Sequence, residues 1–342
     1  MTYDTVMSVI EFSSFEPNIV FSDPSDPDEL RRYTVLLDQG PAGNGAQRVW
    51  KVANTQGETF ALKALRALGP IDPNDPVRPI LTPSAVKSFY EEYRNQLVVS
   101  CLGGFAKAYG YGHIGPTPAI LMEWIEGPSL WEALPELYGT ARDERVPAQA
   151  VASIGKTLGE ILLAAQNLDS PFVHRDISLR NILVRTARSP LARQIERNRF
   201  ELCFVDLGSS SFLHDDPSFT MRSGIWRKGT PEFAPPEMLT GDIPELAPLR
   251  TSPSIDTYEL CSVLYTLLSG HTPYRLSERL EDSPYLYKTE HRPDPLSMQD
   301  ERSQEIAKII MGGIHNEQAR RTPLAELVEA LGAWLQAFGP EA

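Results

Sequence analysis

His174-Arg175-Asp176-Ile177-Ser178-Leu179-Arg180-Asn181-Ile182-Leu183 is the stretch on which the reading of this chain turns. An aspartate and an amide stand five residues apart among Ile and Leu, between short apolar segments at 172–174 and 181–184 that read as strands. Alone, Asp176 or Asn181 would be an ordinary turn residue. Moving outward, Val205-Asp206-Leu207-Gly208 follows 25 residues after Asn181, closing a strand-like segment at 202–206. Gly229-Thr230-Pro231-Glu232-Phe233-Ala234-Pro235-Pro236-Glu237 comes later, and Phe60-Ala61-Leu62-Lys63 lies far upstream. One such tetrapeptide can arise by chance. Four, in this order and on suitable elements, do not.

The surrounding pattern divides the chain. Strand-like segments at Tyr33–Leu37, Arg48–Val52 and Thr59–Leu65 are separated by turn residues at 40–45 and 54–57, which predicts an antiparallel meander. A proline-rich loop (69–83), a helix from Ser84 to Val99 and an apolar strand, Ala119–Ile125, complete the first part. After Gly127 the reading is mainly helical: 148–168 carries Val151, Ile154, Leu158, Ile161, Leu162 and Ala165 at helical spacing, and 256–269, 303–314 and 324–338 follow. Ahead of all this, residues 17–29 are acidic and broken by prolines.

Composition excludes several classes. With 342 residues, 42% apolar and 23% charged, the chain has the make-up of a globular protein and the length for two core-bearing parts. A net charge of −13 argues against a nucleic-acid partner, which would need a positive face. Seven acidic and no basic residues lie within 1–30. Cys101, Cys203 and Cys261 fit no metal-ligand spacing and read as buried small hydrophobes in a reducing compartment. No apolar run approaches a membrane span and the start lacks signal-peptide features, so a cytoplasmic protein is expected.

Taken together, the four motifs resemble the catalytic domain of the eukaryotic-like serine/threonine protein kinases: the loop H-R-D-x-x-x-x-N, D-F-G, the G-T-P-E to P-P-E element and V-A-I-K. The resemblance implies an α+β class and a bilobal protein-kinase-like fold, with a small antiparallel β-rich lobe bearing one main helix and a larger, mainly helical lobe. It places an acidic N-terminal lead-in at 1–32, lobes at 33–126 and 127–342, and one kinase domain over 33–338. The implied activity is transfer of the γ-phosphoryl group of Mg-ATP to Ser/Thr hydroxyls of proteins, this chain's own included. The implied partners are ATP, Mg²⁺ (Mn²⁺ as the alternative ion) and protein substrates.

Site residues follow from the same resemblance. Asp176 would orient the attacking hydroxyl and accept its proton, and Asn181 and Asp206 would hold the metal through hard oxygen ligands. Lys63 would reach the α- and β-phosphates, paired with a carboxylate of the first-lobe helix, Glu92 in preference to Glu91. Gly40, Gly43, Gly45 and Val49 would form the phosphate-cradling turn, although the family spacing puts its last glycine at 47, where this chain has Gln47. Ala61, Met122, Glu123, Trp124 and Leu183 would line the adenine pocket, Glu123 and Trp124 through backbone hydrogen bonds.

The chain departs from the family in places. Ser178 stands where Ser/Thr kinases carry a lysine, and Arg180 is reminiscent of tyrosine kinases. Thr230 belongs to the Ser/Thr-type substrate loop and tips the choice to Ser/Thr; without that lysine the γ-phosphate would lean on Arg180 or on metal. His174 is expected to be a packed structural residue, Glu237 to pair with Arg321, and Asp256 to brace the catalytic loop. Arg175 is the expected docking charge for a phosphate on loop 209–230, which holds Ser209, Ser210, Ser211, Ser218, Thr220 and Ser223. A catalytically weak scaffold is the second reading. A small-molecule kinase is the third, disfavoured by the Gly-Thr-Pro-Glu-Phe element.

Overall fold

A computed structural model describes residues 8–18, 31–42, 47–65, 81–139, 145–212, 230–241, 243–279 and 283–338. They fall into two compact units, Met1–Cys101 with Phe105–Ile125, and Leu102–Gly104 with Glu126–Ala342. The class is α+β, as expected: one unit is built on an antiparallel sheet with one main helix, the other is mainly helical.

In the first unit, strands β1 (Val9–Glu11), β2 (Ser14–Pro17), β3 (Arg32–Ala42), β4 (Gln47–Ala53) and β5 (Thr59–Leu65) precede helix α1 (Pro83–Val99). Strands β6 (Ala108–Ile114) and β7 (Thr117–Glu123) follow it. All seven strands form one sheet in the order β1-β3-β4-β5-β7-β6-β2, with every neighbouring pair antiparallel. Along β5 the side chains alternate: Phe60, Leu62 and Ala64 enter one apolar cluster, while Leu65 packs with Phe89 and Tyr93 of α1. The helix starts where Thr82 caps the amide of Ala85 and Pro83 opens the first turn.

The first strands overturn part of the sequence reading. Residues 8–18 are no detached lead-in. β1 pairs with β3 at one edge of the sheet and β2 with β6 at the other, although Phe12 and Ser13 alone separate them. Glu11 and Ser14 can lie at most ~11 Å apart along the chain, so the two edges must curl toward each other. The amide of Phe12 donates to Arg31 O at 2.8 Å and that of Ser13 to His113 O at 2.7 Å, tying the strap to both sides. Phe12 and Phe15 turn inward with ring centroids 4.8 Å apart, while Glu11 and Glu16 face out, which is why the segment looked merely acidic. Gly110 and Gly112 in β6 make the approach possible. A Cβ on Gly110 would lie 2.3 Å from the Phe15 ring, and one on Gly112 would lie 2.2 Å from Ser14 O. Those same glycines hid β6 from strand recognition.

The second unit is organised on buried helices. Helix α2 (Leu130–Tyr138) opens with a Ser129/Glu132 capping box, and α3 (Ala148–Gln166) buries Val151, Ile154, Leu158 and Leu162. Two short pairs, β8 (Phe172–Val173) with β11 (Ser211–Phe212) and β9 (Ile182–Val184) with β10 (Leu202–Phe204), flank the central loop. A short α4 (Leu191–Glu196) lies between β9 and β10. Helix α5 (Ser254–Ser269) is buried nearly all round, and α6 (Pro284–Glu290), α7 (Glu301–Gly313) and α8 (Leu324–Phe338) follow. Cys203 and Cys261 are buried as expected; Cys101 is exposed, because it lies just past the end of α1 with its thiol on Val98 O. No helix among the described residues is long and apolar enough to cross a membrane.

Substituting Phe12→Ala is expected to cost ~3–5 kcal/mol, the usual range for truncating a buried aromatic ring. Urea unfolding measures it, and a midpoint equal to that of the parent chain would refute the strap's place in the core.

Candidate active site

In the first unit, Lys63 of β5 lies one residue from Leu62 and so faces the opposite side of the sheet, toward α1. Its Nζ is 2.5 Å from Glu92 Oε1, and both side chains are almost fully buried. Of the two carboxylates that the sequence offers, Glu92 therefore meets Lys63; Glu91 sits one turn from Lys87, 3.8 Å away. The second Glu92 oxygen accepts from Gln47 Nε2 at 3.0 Å. Gln47, read as a missing glycine, thus satisfies the remaining side of a buried carboxylate, a role that no local pattern announces.

The ladder aligns further candidates. Gly40 stands opposite Val49, Val49 opposite Lys63, and Ala61 opposite Met122. Val49, Ala61, Lys63 and Met122 consequently share one face of the sheet. Gly40 adopts φ +79°, which favours glycine, and its amide donates to Asp38 Oδ1 at 2.9 Å. Gly43 and Gly45 lie outside the described residues. The Glu123 amide is already donated to Lys107 O at 2.8 Å, so that N–H is not the one open to a ligand. The Trp124 ring faces Lys51 Nζ at 5.0 Å.

In the second unit, the catalytic-loop motif spans the turn between β8 and β9. Asp256, at the start of α5, accepts the His174 amide at 2.9 Å and the Arg175 amide at 3.0 Å. One helical turn on, Glu259 Oε2 accepts the Ile177 amide at 2.8 Å. These bonds hold Arg175 in the left-handed region (φ 64°), a conformation a bulky residue adopts only when its surroundings enforce it. The loop then presents Asp176. Its Oδ1 accepts from the Thr230 amide (3.1 Å) and hydroxyl (3.2 Å), and its Oδ2 from Asn181 Nδ2 (3.0 Å). Burial and the charge of nearby Asp206 push the Asp176 carboxyl up to about 6. Asp206 also takes a positive φ, 61°, after Val205 has donated its amide to Asn181 O.

His174 is a packed structural residue. It is fully buried against the Phe204 ring, and burial lowers it to about 4, so it stays neutral. Glu237 pairs with Arg321 in a buried two-point contact, 2.7 and 2.9 Å, as expected. Arg175 is fully buried with Asp256 in electrostatic reach. Arg180 is exposed and stacks over Trp131 at 4.8 Å, so its guanidinium is engaged there. Leu183 is half-buried in β9, opposite Cys203. Ser209, Ser210 and Ser211 are buried, unlike exposed acceptor hydroxyls; Ser218, Thr220 and Ser223 lie outside the described residues. Sequence reading passed over Glu259, although a carboxylate inside the apolar run of α5 is itself a signal that it has a partner. It passed over Lys288 too, which carries no such signal.

Comparison with known proteins gives one family. The protein kinase domain model matches residues 43–331. Among curated proteins, the chain is 25% identical over 183 residues to the serine/threonine-protein kinase PknB of Mycobacterium leprae, covering 53% of this chain and 24% of that protein. It is 28% identical over 156 residues to the serine/threonine-protein kinase PkaB of Streptomyces coelicolor, covering 46% of this chain and 32% of that one. The chain thus spans a third or less of the length of these relatives.

The neutral His174 makes stability depend on pH. Between its ordinary 6.5 and about 4 the unfolded chain takes up a proton that the folded protein refuses, so this contribution is whole above 6.5 and fades toward pH 4. Asp176 and Asp256, both raised to about 6, act in the opposite sense, so the effect is read against His174→Asn. The stability gap between parent and variant is expected to narrow by about 2 kcal/mol from pH 7 to pH 4.5. Urea unfolding at the two pH values measures it; a constant gap would mean that His174 is not buried neutral.

Proposed function

The chain belongs to the protein kinase domain family, and from that membership we propose that it transfers the γ-phosphoryl group of ATP to Ser/Thr hydroxyls of proteins. The observation that carries the reading is the grip on Asp176: both carboxylate oxygens are held, one by Thr230 and the other by Asn181. A carboxylate fixed this way and raised to about 6 is suited to orient an acceptor hydroxyl and take its proton as the phosphoryl group departs. Thr230 is the feature that supports Ser/Thr over Tyr. Residues 33–338 are read as one catalytic domain, and the family match over residues 43–331 supports that extent.

In this reading Lys63, held by Glu92, which Gln47 holds in turn, neutralises charge on the nucleotide phosphates, and Val49, Ala61 and Met122 offer an apolar face to the base. Asn181 and Asp206 are the residues proposed to hold Mg²⁺ or Mn²⁺. The donor set fits a hard cation. Asp206 and Asp176 lie close enough for one charge to oppose ionisation of the other, and the Asn181 amide turns its nitrogen to Asp176, which directs Oδ1 elsewhere. When bound, such an ion supplies charge neutralisation at the phosphates. The chain's own residues supply the rest: orientation of the hydroxyl by Asp176 and placement of Asp176 by Thr230 and Asn181. Ser178 in place of the usual lysine favours the second reading, a weak catalyst that works as a scaffold.

Incubation with labelled ATP and Mg²⁺, alone and with general acceptor proteins, tests the proposal. Transfer to Ser/Thr is expected in the parent chain, with a fall of about a hundredfold or more in Asp176→Asn, the range for losing a positioned proton acceptor. Asp206→Ala is expected to fall comparably. Equal labelling in all three proteins would defeat the mechanism, and label on Tyr alone would defeat the Ser/Thr assignment.

A further inference from the structure

Helix α6 buries an ammonium group. Lys288 is 0% exposed, and no carboxylate oxygen among the described residues lies within ion-pair distance of it. A buried lysine without a paired anion is uncommon and must be held by dipoles. Its Nζ donates to Glu232 O at 3.1 Å and to Ala234 O at 2.7 Å, and it sits over the rings of Tyr258 (5.5 Å) and Tyr274 (5.0 Å). The lysine is itself anchored. Asn316 donates to the carbonyls of Lys288 and His291 and accepts from the Tyr274 hydroxyl at 2.7 Å.

The two carbonyls belong to the turn that carries Thr230. The amides of Phe233 and Ala234 both donate to Thr230 O, at 2.9 and 3.1 Å. A continuous path of bonds results: Lys288 Nζ to Ala234 O, Ala234 N to Thr230 O, and Thr230 Oγ1 to Asp176 Oδ1. The Glu232 carboxylate fixes the outer side of the same turn by accepting from Thr272 Oγ1 and from the amides of Leu276 and Ser277. Glu237 closes the far end on Arg321. Between these two fixed points, Lys288 sets the direction of the Glu232 and Ala234 carbonyls.

We propose that Lys288 is a positioning residue for the phosphoryl acceptor: it fixes the 230–234 turn and, through it, the placement of Thr230 on Asp176. The inference rests on the kinase reading above, and it assigns acceptor binding at that site to a residue remote in sequence from every motif. Burial lowers Lys288 to about 7, opposed by the surrounding carboxylates Glu232, Glu259 and Glu237 and assisted by Arg321. The cage thus holds the cation at an electrostatic cost, which a purely apolar filler would not incur.

Lys288→Met keeps the volume inside the tyrosine cage and removes both hydrogen bonds; Lys288→Gln restores a donor. Hydrogen exchange of the Phe233 and Ala234 amides is expected to speed by about ten- to a hundredfold in the Met variant, the loss that a charge-assisted hydrogen bond implies. Exchange in α5 should stay unchanged, and the Gln variant should fall between Met and the parent. In transfer assays, KM for a protein acceptor should rise by about tenfold, with KM for ATP within about twofold. Unchanged exchange at Phe233 and Ala234 would overturn the proposal, as would parallel loss at α5 or equal effects on both KM values. If the Met variant fails to fold, the Gln variant decides by the same exchange readout. A parent chain that transfers to no acceptor would defeat the kinase reading, and exchange alone would then decide whether Lys288 holds the turn.

Discussion

Two buried carboxyl groups, one turn apart on α5, hold the loop from which the rest of the second unit takes its geometry. Asp256 accepts the amides of His174 and Arg175, and Glu259 accepts that of Ile177. Backbone N–H groups taken out of water must find acceptors, and here the loop has no strand partner to supply them. The helix provides them instead, from a surface that is buried nearly all round. Because the acceptors lie at i and i+3, the loop between is forced through the left-handed conformation of Arg175, and this is what turns Asp176 outward.

Around that anchor the substrate turn is clamped at separate points by different chemistry. Thr230 bonds the Asp176 carboxylate, Glu232 bonds the 272–277 segment, Lys288 holds two carbonyls, and Arg321 grips Glu237. Arg321 and Lys288 also lie over the same tyrosine, Tyr258 of α5, at 4.9 and 5.5 Å. The ring therefore stabilises two cations that would repel each other across an empty gap. Because these clamps share one turn and one ring, substitutions at them are expected to couple rather than add.

The first unit solves a different problem. A five-strand sheet of β3, β4, β5, β7 and β6 alone would end in two unpaired edges, and open edges invite pairing with other chains. Here one short strap supplies a strand to each edge and buries Phe12 and Phe15 in the same cluster as Tyr33, Phe60 and Leu62. The strap lies ahead of the part matched by the family, which begins at residue 43. It covers the outer edge of β3 on one side of the sheet and that of β6 on the other.

Much of this was legible in the residues. The periodicities of 59–65, 83–99, 148–166 and 324–338 depend on neighbours along the chain, and local spacing suffices to reveal them. Asp176, Asn181, Asp206, Lys63 and Glu237 were legible because each sits in a run of fixed type and order. Contacts made by residues distant in sequence were not. The choice of Glu92 over Glu91 became definite only when α1 presented one face to β5, and Gln47 gained a partner 45 residues away. Lys288 lies 54 residues from the carbonyl it holds, and Phe15 lies 97 from the Gly112 that admits β2. The acidic count of residues 1–30 drew on the outward Glu11 and Glu16 and concealed the inward Phe12 and Phe15. The sequence by itself determined the five longer helices, the three-strand meander and the chemical groups of the site, since those follow from spacing and residue type. Only the tertiary structure decided which buried donors meet which acceptors, because desolvation makes those pairings obligatory without making them local.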